Sequence, residues 1–206
     1  NEISTDVQEA FRQMLRGRSQ PVELEIPSDI LDGEGDVDIV EPSENTRIEP
    51  SDRDIARAVK SLASAQQPAI AAGGGALRSD AARPLARIAE ILQAPVVTSQ
   101  QGRGLIGCNH PLYAGVHYAG LGVSSDLLNE ADVILAVGTR LLIKDFVIRP
   151  EQTLVKLDID AKEIMKAPPE TVTVHADAAA GLEAMTELLE ANLTTSNDGS
   201  KRAKAY

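Results

Sequence analysis

The sequence predicts an α/β protein built on a doubly wound, mostly parallel sheet of five to six strands with helices on both faces. Three observations predict it. Apolar runs of strand length recur between residues 69 and 175, and helical patterns alternate with them, which is the arrangement that parallel sheets require. The runs are apolar almost throughout rather than at every second position, as strands covered on both faces are. The 206 residues are 43% hydrophobic, which is enough for one sizeable core with appendages.

At the start of the chain, Thr5-x-x-Gln8 is a capping-box pattern. Val7, Ala10, Phe11, Met14 and Leu15 then share one helical stripe, which Gly17 ends. Pro21-Val22-Glu23-Leu24-Glu25-Ile26-Pro27 alternates apolar and acidic residues, as a half-exposed strand does. One helix and one strand cannot bury their own faces. Residues 28–50 read as an acidic linker rich in Gly, Pro and like charge. Between Gln20 and Asp54 stand twelve acidic residues and two basic ones, Arg47 and Arg53, so nearly all of the net charge of −11 belongs to this stretch.

From residue 51 the strand and helix signals alternate. Ser51 and Asp52 cap a helix carrying Ile55, Ala58, Val59, Leu62 and Ala63, which Pro68 stops. Ala69 to Ala72, Val96 to Ser99, Val133 to Val137, Leu154 to Ile159 and Thr171 to His175 are the strands. Ala81, Leu85, Ile88, Ala89 and Leu92 form the stripe of a helix that Pro84 forces either to begin near it or to kink. Asp126 to Glu130 fits a short helix, Asp160-x-x-Glu163 opens another, and Asp177 caps a longer one with Leu182, Met185, Leu189 and Leu193 inward. The α/β domain spans 51–193. Residues 194–206, with Asn197-Asp198-Gly199-Ser200 followed by Lys201, Arg202 and Lys204, read as a C-terminal linker.

The excess of acid argues against nucleic-acid or anionic-membrane binding. No run approaches the ~18 apolar residues of a membrane helix and no basic-then-apolar leader appears, so a cytoplasmic location is expected. Cys108, the single cysteine, excludes a disulfide framework and a zinc site of cysteines, and is expected to be a small apolar filler. His110 precedes Pro111 as a turn residue, His117 sits in a Gly-rich loop with Tyr113 and Tyr118, and His175 lies at a strand end. No pair has zinc-enzyme spacing. There is no G-x-S-x-G elbow, and Ser51, Ser79 and Ser125 read as caps or turn residues.

In a doubly wound sheet, ligands bind outside the carboxyl ends of the strands. Gly73-Gly74-Gly75-Ala76 follows the first core strand, and its missing side chains allow a phosphate to approach backbone N–H groups. The fingerprint G-x-G-x-x-G would need glycine at position 78, which is Arg78. Gly138-Thr139-Arg140, Asp158, Asp160 and Asp177 stand at other strand ends, where an Arg can hold a phosphate and a carboxylate a ribose hydroxyl. The expected cofactor-binding set is therefore Gly73, Gly74, Gly75, Gly138, Arg140, Asp158, Asp160 and Asp177. The glycines can equally do no more than turn the chain, and Asp160 and Asp177 are also explained as helix caps.

Taken in order, Gly17-Arg18 with Pro21 to Asp29, Pro68-Ala69-Ile70-Ala71-Ala72-Gly73-Gly74-Gly75-Ala76, Ala94 to Ser99 with Gly102-Arg103-Gly104, His110 to Gly115, Ala131 to Arg140, Leu157 to Ile164 and Val174 to Asp177 resemble thiamine-diphosphate-dependent enzymes of the acetolactate synthase type. The resemblance is to the central, Rossmann-like domain of that family, with residues 1–27 matching the last helix and strand of its pyrimidine-binding domain. It implies a parent transferase or lyase acting on 2-keto acids with thiamine diphosphate and magnesium. This chain would be its non-catalytic scaffold, flanked by catalytic domains of the same chain, within a homo-oligomer. The family holds diphosphate and magnesium through a Gly-Asp-Gly motif followed by a distant Asn in a third domain. The nearest strings here, Gly35-Asp36-Val37 and Asn197-Asp198-Gly199, do not match it, and the activating glutamate of the first domain would precede Asn1. In some relatives the central domain binds FAD or ADP at its strand ends. Acetolactate synthases often place Phe-Asp-Asp-Arg after Gly-x-Arg, whereas Leu141-Leu142-Ile143-Lys144 follows Arg140, which favours ADP over FAD. The competing reading is a self-sufficient adenine-nucleotide- or flavin-binding domain.

Overall fold

The computed structural model describes residues 2–42, 46–117, 124–141, 147–191 and 199–205. The chain divides into two compact units, 1–47 and 48–206.

In the first unit, helix α1 (Ile3–Leu15) starts three residues earlier than the capping box suggests, because Thr5 lies inside the helix and Glu2 at the N-cap makes no side-chain cap bond. Phe11 and Leu15 on α1 are exposed. The alternating stretch 21–27 pairs with no other strand among the described residues, so the expected strand is absent; its alternation has no ladder partner, and Pro21 and Pro27 cannot donate to one. A single turn of helix, α2 (Ser28–Leu31), follows within the acidic stretch.

The second unit opens on α3 (Asp52–Ala63), where the Ser51 side chain accepts from the Asp54 N–H as a true N-cap. Six strands follow: β1 (Pro68–Ala72), β2 (Val96–Ser99), β3 (Tyr113–His117), β4 (Val133–Val137), β5 (Thr153–Asp158) and β6 (Val172–His175). All ladders are parallel, and the strand order is β3-β2-β1-β4-β5-β6. Five strands lie where the apolar runs placed them. The sixth, β3, takes the segment read as a Gly-rich loop, so His117 ends a strand; Gly115 interrupts its apolar pattern, and as an edge strand it is only partly buried.

Side chains alternate across the sheet, and this sorts the core. Ile70, Val96, Leu135, Val155 and Val174 face α3, α5 (Ala82–Leu92) and α8 (Ala178–Glu190), which carry Leu62, Leu85, Ile88 and Leu182. Ala69, Ala71, Ile134, Ala136 and Leu154 face the other way, against Leu128 of α6 (Ser124–Glu130). Pro84 falls in the first turn of α5, where a missing N–H costs nothing. The glycine run does more than turn: Gly73 is the N-cap of a short helix, α4 (Gly74–Arg78). Helix α7 (Ala161–Met165) follows β5. Within the stretch read as a C-terminal linker, residues 192–198 lie outside the described residues, but Gly199–Lys204 form a helix, α9. Composition alone misses it because its only apolar side chain is Ala203, which is buried. Cys108 is exposed rather than a core filler.

The Ile48 carbonyl accepts from Asp177 N–H at 2.8 Å, so the second unit uses main chain from its first residue. A chain beginning at Ile48 is expected to unfold in one cooperative transition at the midpoint of the full chain's second unit. A broad, non-cooperative melt followed by far-UV circular dichroism would place the boundary elsewhere.

Candidate functional site at the carboxyl edge of the sheet

Strands β1 and β4 are neighbours although two strands separate them in sequence, so the connections leaving them diverge to opposite sides of the sheet. This is the topological switch point of a doubly wound fold. The glycines converge on it. Gly73 N–H donates to Val137 O at 2.9 Å and Gly75 N–H to Gly138 O at 3.0 Å, while Gly138 N–H donates to Leu157 O at 2.9 Å. Gly138 has φ +55, and a Cβ on it would stand 2.8 Å from Gly75 Cα. The structure therefore brings Gly73, Gly75 and Gly138 into direct main-chain contact. Gly74 lies one residue away, with its Cα side turned to Gln101, whose Cβ would be 2.9 Å from an added Cβ. Arg140 is exposed just beyond Gly138. Leu141 follows with φ 51, and its N–H is held by Thr139 Oγ1 at 3.2 Å. The divergent residues Leu142, Ile143 and Lys144 lie outside the described residues.

The carboxylates are placed differently. Asp158, at the end of β5, is buried and accepts from the Asp160 N–H at 2.9 Å. Burial pushes its carboxyl up from the ordinary range, against the opposing pull of that N–H and of Lys156. Asp160 caps α7 through the Lys162 N–H at 2.9 Å. Asp177 caps α8, accepting from Ala179 and Ala180 N–H at 3.1 and 3.2 Å, and also takes the Ser79 hydroxyl at 2.7 Å. Both caps expected for Asp160 and Asp177 are thus present. The eight residues share one edge of the sheet, but only the glycines touch one another at the switch point; Asp177 is tied to α4 through Ser79, and Asp158 and Asp160 belong to the β5–α7 turn.

Two residues of this edge do more than the sequence reading assigns them, Ser79 as a cap or turn residue and Lys156 as part of an apolar strand. Ser79 bridges α4 and α8, since its Oγ also accepts from Ala179 N–H at 2.8 Å, and a lone serine beside Asp80 carries no such signal. Lys156 had one: a charge inside the apolar run Leu154-Val155-Lys156-Leu157. It is buried, and its Nζ donates to the Glu163 carbonyl at 3.0 Å, pinning α7 to β5. The Glu163 carboxylate is held below its usual range first by the Lys166 ammonium at 2.8 Å. No group of three or more His, Cys, Asp or Glu that would hold a metal converges among the described residues. His117 is pushed down by burial. Chemically, the edge offers a guanidinium and a glycine N–H to an anion, and buried carboxylates engaged with main chain.

Two outcomes follow. Gly138→Ala forces a side chain into the left-handed region and against Gly75, so a loss of about 1 to 3 kcal/mol from the backbone alone is expected in denaturant unfolding. Asp158 binds its proton more tightly in the folded than in the unfolded chain, so its contribution is present below the ordinary Asp range and is lost as pH rises through the raised value. Asp158→Asn is therefore expected to raise the unfolding midpoint at pH 7 and to leave it unchanged at acid pH; a lower midpoint at pH 7 would contradict this balance.

Residues 55–185 match the family model described as the thiamine pyrophosphate enzyme, central domain. The chain is 30% identical over 211 residues to the acetolactate synthase large subunit of Corynebacterium glutamicum, covering 96% of this chain and 33% of that protein. It is 30% identical over 194 residues to the glyoxylate carboligase of Escherichia coli O157:H7, covering 89% of this chain and 32% of that protein. The crystal structure of benzoylformate decarboxylase from Polynucleobacter necessarius superimposes with a TM-score of 0.79 over 96% of this chain and 37% of the other, at 20% identity, a likeness of fold. The chain spans about a third of the length of these relatives. With its six-stranded parallel sheet and the match across most of that sheet's length, the chain belongs to the thiamine pyrophosphate enzyme central-domain family.

Proposed function

We propose that this chain is the non-catalytic scaffold between the catalytic domains of a larger thiamine-diphosphate enzyme acting on 2-keto acids, a decarboxylase or carboligase of the acetolactate synthase type that works as a homo-oligomer. The observation that carries the reading is the mismatch between family and chemistry. The family match spans the sheet, yet most of the glycines and acids at the strand ends are spent on main-chain contacts and helix caps. The residues present do not fit thiamine diphosphate and magnesium: Gly35-Asp36-Val37 lies in the acidic stretch of the other unit, and no metal-holding cluster converges among the described residues. Titration of thiamine diphosphate with Mg2+ into the chain by calorimetry is expected to give no saturable heat, and stoichiometric binding would overturn the scaffold reading.

A finer reading concerns an ADP-type nucleotide at the carboxyl edge, favoured by one observation. The N–H groups of Gly73 and Gly75 are already taken by the end of β4, whereas no main-chain acceptor takes that of Gly74 among the described residues, and the exposed Arg140 stands beyond the same contact. A diphosphate would be held by Gly74 and Arg140, with Asp158 or Asp160 toward ribose. Chemical-shift mapping with ADP is expected to move Gly74 and Arg140 first, and Arg140→Ala to weaken binding by about 1.5 to 3 kcal/mol. A flat titration at millimolar ADP would leave the domain as scaffold alone.

A further inference from the structure

Just before β3 the main chain makes a tight turn through Pro111. The His110 N–H donates to the Gly107 carbonyl at 2.9 Å, and the His110 carbonyl accepts from the Tyr113 N–H at 3.0 Å. The partly buried His110 ring stands between this turn and α5. Its Nδ1 accepts from the Leu112 N–H at 3.2 Å, and its Nε2 faces Glu90 Oε1 at 3.4 Å. A ring nitrogen that accepts carries no proton, so these bonds assign the neutral ring the Nε2–H tautomer, donating to Glu90. Glu90 is itself positioned: Arg87 Nη1 stands 3.7 Å from its other oxygen, and Arg87 Nη2 reaches Glu190 of α8 at 2.7 Å. On the elements around the turn, the other titratable groups among the described residues are the Cys108 thiol, the Tyr113 phenol and the cations Lys201, Arg202 and Lys204 of α9, whose Gly199 lies against Leu112.

We propose that His110 is a pH-sensitive latch at the start of the edge strand β3, holding the Leu112 main chain when neutral and releasing it when protonated, with Glu90 receiving the imidazolium. The step moves one proton from solvent to Nδ1. That proton occupies the lone pair the Leu112 N–H uses, so two N–H groups face each other and the contact opens. The imidazolium keeps its bond to Glu90, now as an ion pair, so α5 accommodates the charge while β3 loses its hold. Leu112 is buried, and a buried N–H without an acceptor is unfavourable, so the turn yields until water reaches it. The loosening touches the sheet, because the Leu112 carbonyl accepts from the Val96 N–H at 2.7 Å where the β2–β3 ladder begins. A side chain that accepts from the N–H two residues on is ordinarily Asn or Asp, which remain acceptors at neutral pH. A histidine in that place makes the same turn conditional on protonation.

Nuclear magnetic resonance on the 206-residue chain, taken from about pH 8 to about pH 5, tests this. At the upper end the His110 ring nitrogens are expected to report the Nε2–H tautomer. On acidification the Leu112 amide is expected to lose its hydrogen-bonded shift with the midpoint at which the His110 ring titrates. Its protection against exchange, corrected for the intrinsic pH dependence, is expected to fall about tenfold, with the Ile134 and Leu135 amides of β4 unchanged. Glu90→Gln keeps the Nδ1 contact and removes the ion pair, so it is expected to move the midpoint to lower pH. His110→Asn offers the same N–H an acceptor that does not titrate, and is expected to keep Leu112 protected at both ends of the range. An Nδ1–H tautomer at the upper pH, a Leu112 amide indifferent to the ring's titration, or a Leu112 transition that survives in His110→Asn would each overturn the latch, and a midpoint unmoved in Glu90→Gln would overturn Glu90 as the receiver of the charge.

Discussion

Where β1 and β4 lie side by side, their connections leave in opposite directions, and the gap between them is closed by main chain alone. Gly73 and Gly75 donate into the end of β4, and Gly138, in the left-handed region, passes close enough that no side chain fits on either side. Much of the carboxyl edge depends on that closeness. It sets where α4 starts, and α4 brings Ser79 to the N-terminus of α8, where Asp177 and Ser79 share the first N–H groups. Helix α8 then lies along the sheet beside α3 and α5 and completes the larger core. A side chain at Gly138 would be felt at the switch point and in the helix packing together, since one hydrogen-bonded series runs through both.

This also decides between two meanings of a glycine-rich strand end. Glycines that admit a phosphate leave their N–H groups pointing outward, whereas glycines that admit another strand spend them. Here the first and third are spent and the second is not. The same division holds among the acids: Asp160 and Asp177 are caps, while Asp158 is a buried carboxyl raised by desolvation. A sequence motif cannot separate these cases, because the residue types are the same in both.

The strands were legible because burial on both faces writes itself as continuous apolar sequence, and Ala69 to Ala72 or Val133 to Val137 have no other reading. The caps at Ser51, Asp160 and Asp177 were legible for the same local reason. What was illegible depends on partners. Tyr113–His117 is a strand because β2 lies beside it, and Gly115 hides the pattern; residues 21–27 have the pattern without a neighbour. Helix α9 is ordered by Gln93 and Pro68, more than a hundred residues earlier, and nothing within Gly-Ser-Lys-Arg-Ala-Lys announces that. At the carboxyl edge the residue identities were legible and their engagement was not.

The two edges of the sheet are held by different mixtures of side-chain and main-chain contacts. At the amino edge, side chains grip main chain: the Asp132 carboxylate takes the N–H groups of Gln66 and Gln67 at 2.6 and 2.9 Å, and Arg202 takes the Pro68 carbonyl. At the switch point on the carboxyl edge, main chain grips main chain through glycine, and beside it the carboxylates of Asp158, Asp160 and Asp177 hold main-chain N–H groups. A side-chain grip tolerates exchange of one residue for another of like chemistry and opens when a single side chain lets go, whereas a glycine contact fails on any substitution with a Cβ. The switch point is therefore the part of the carboxyl edge that tolerates substitution least.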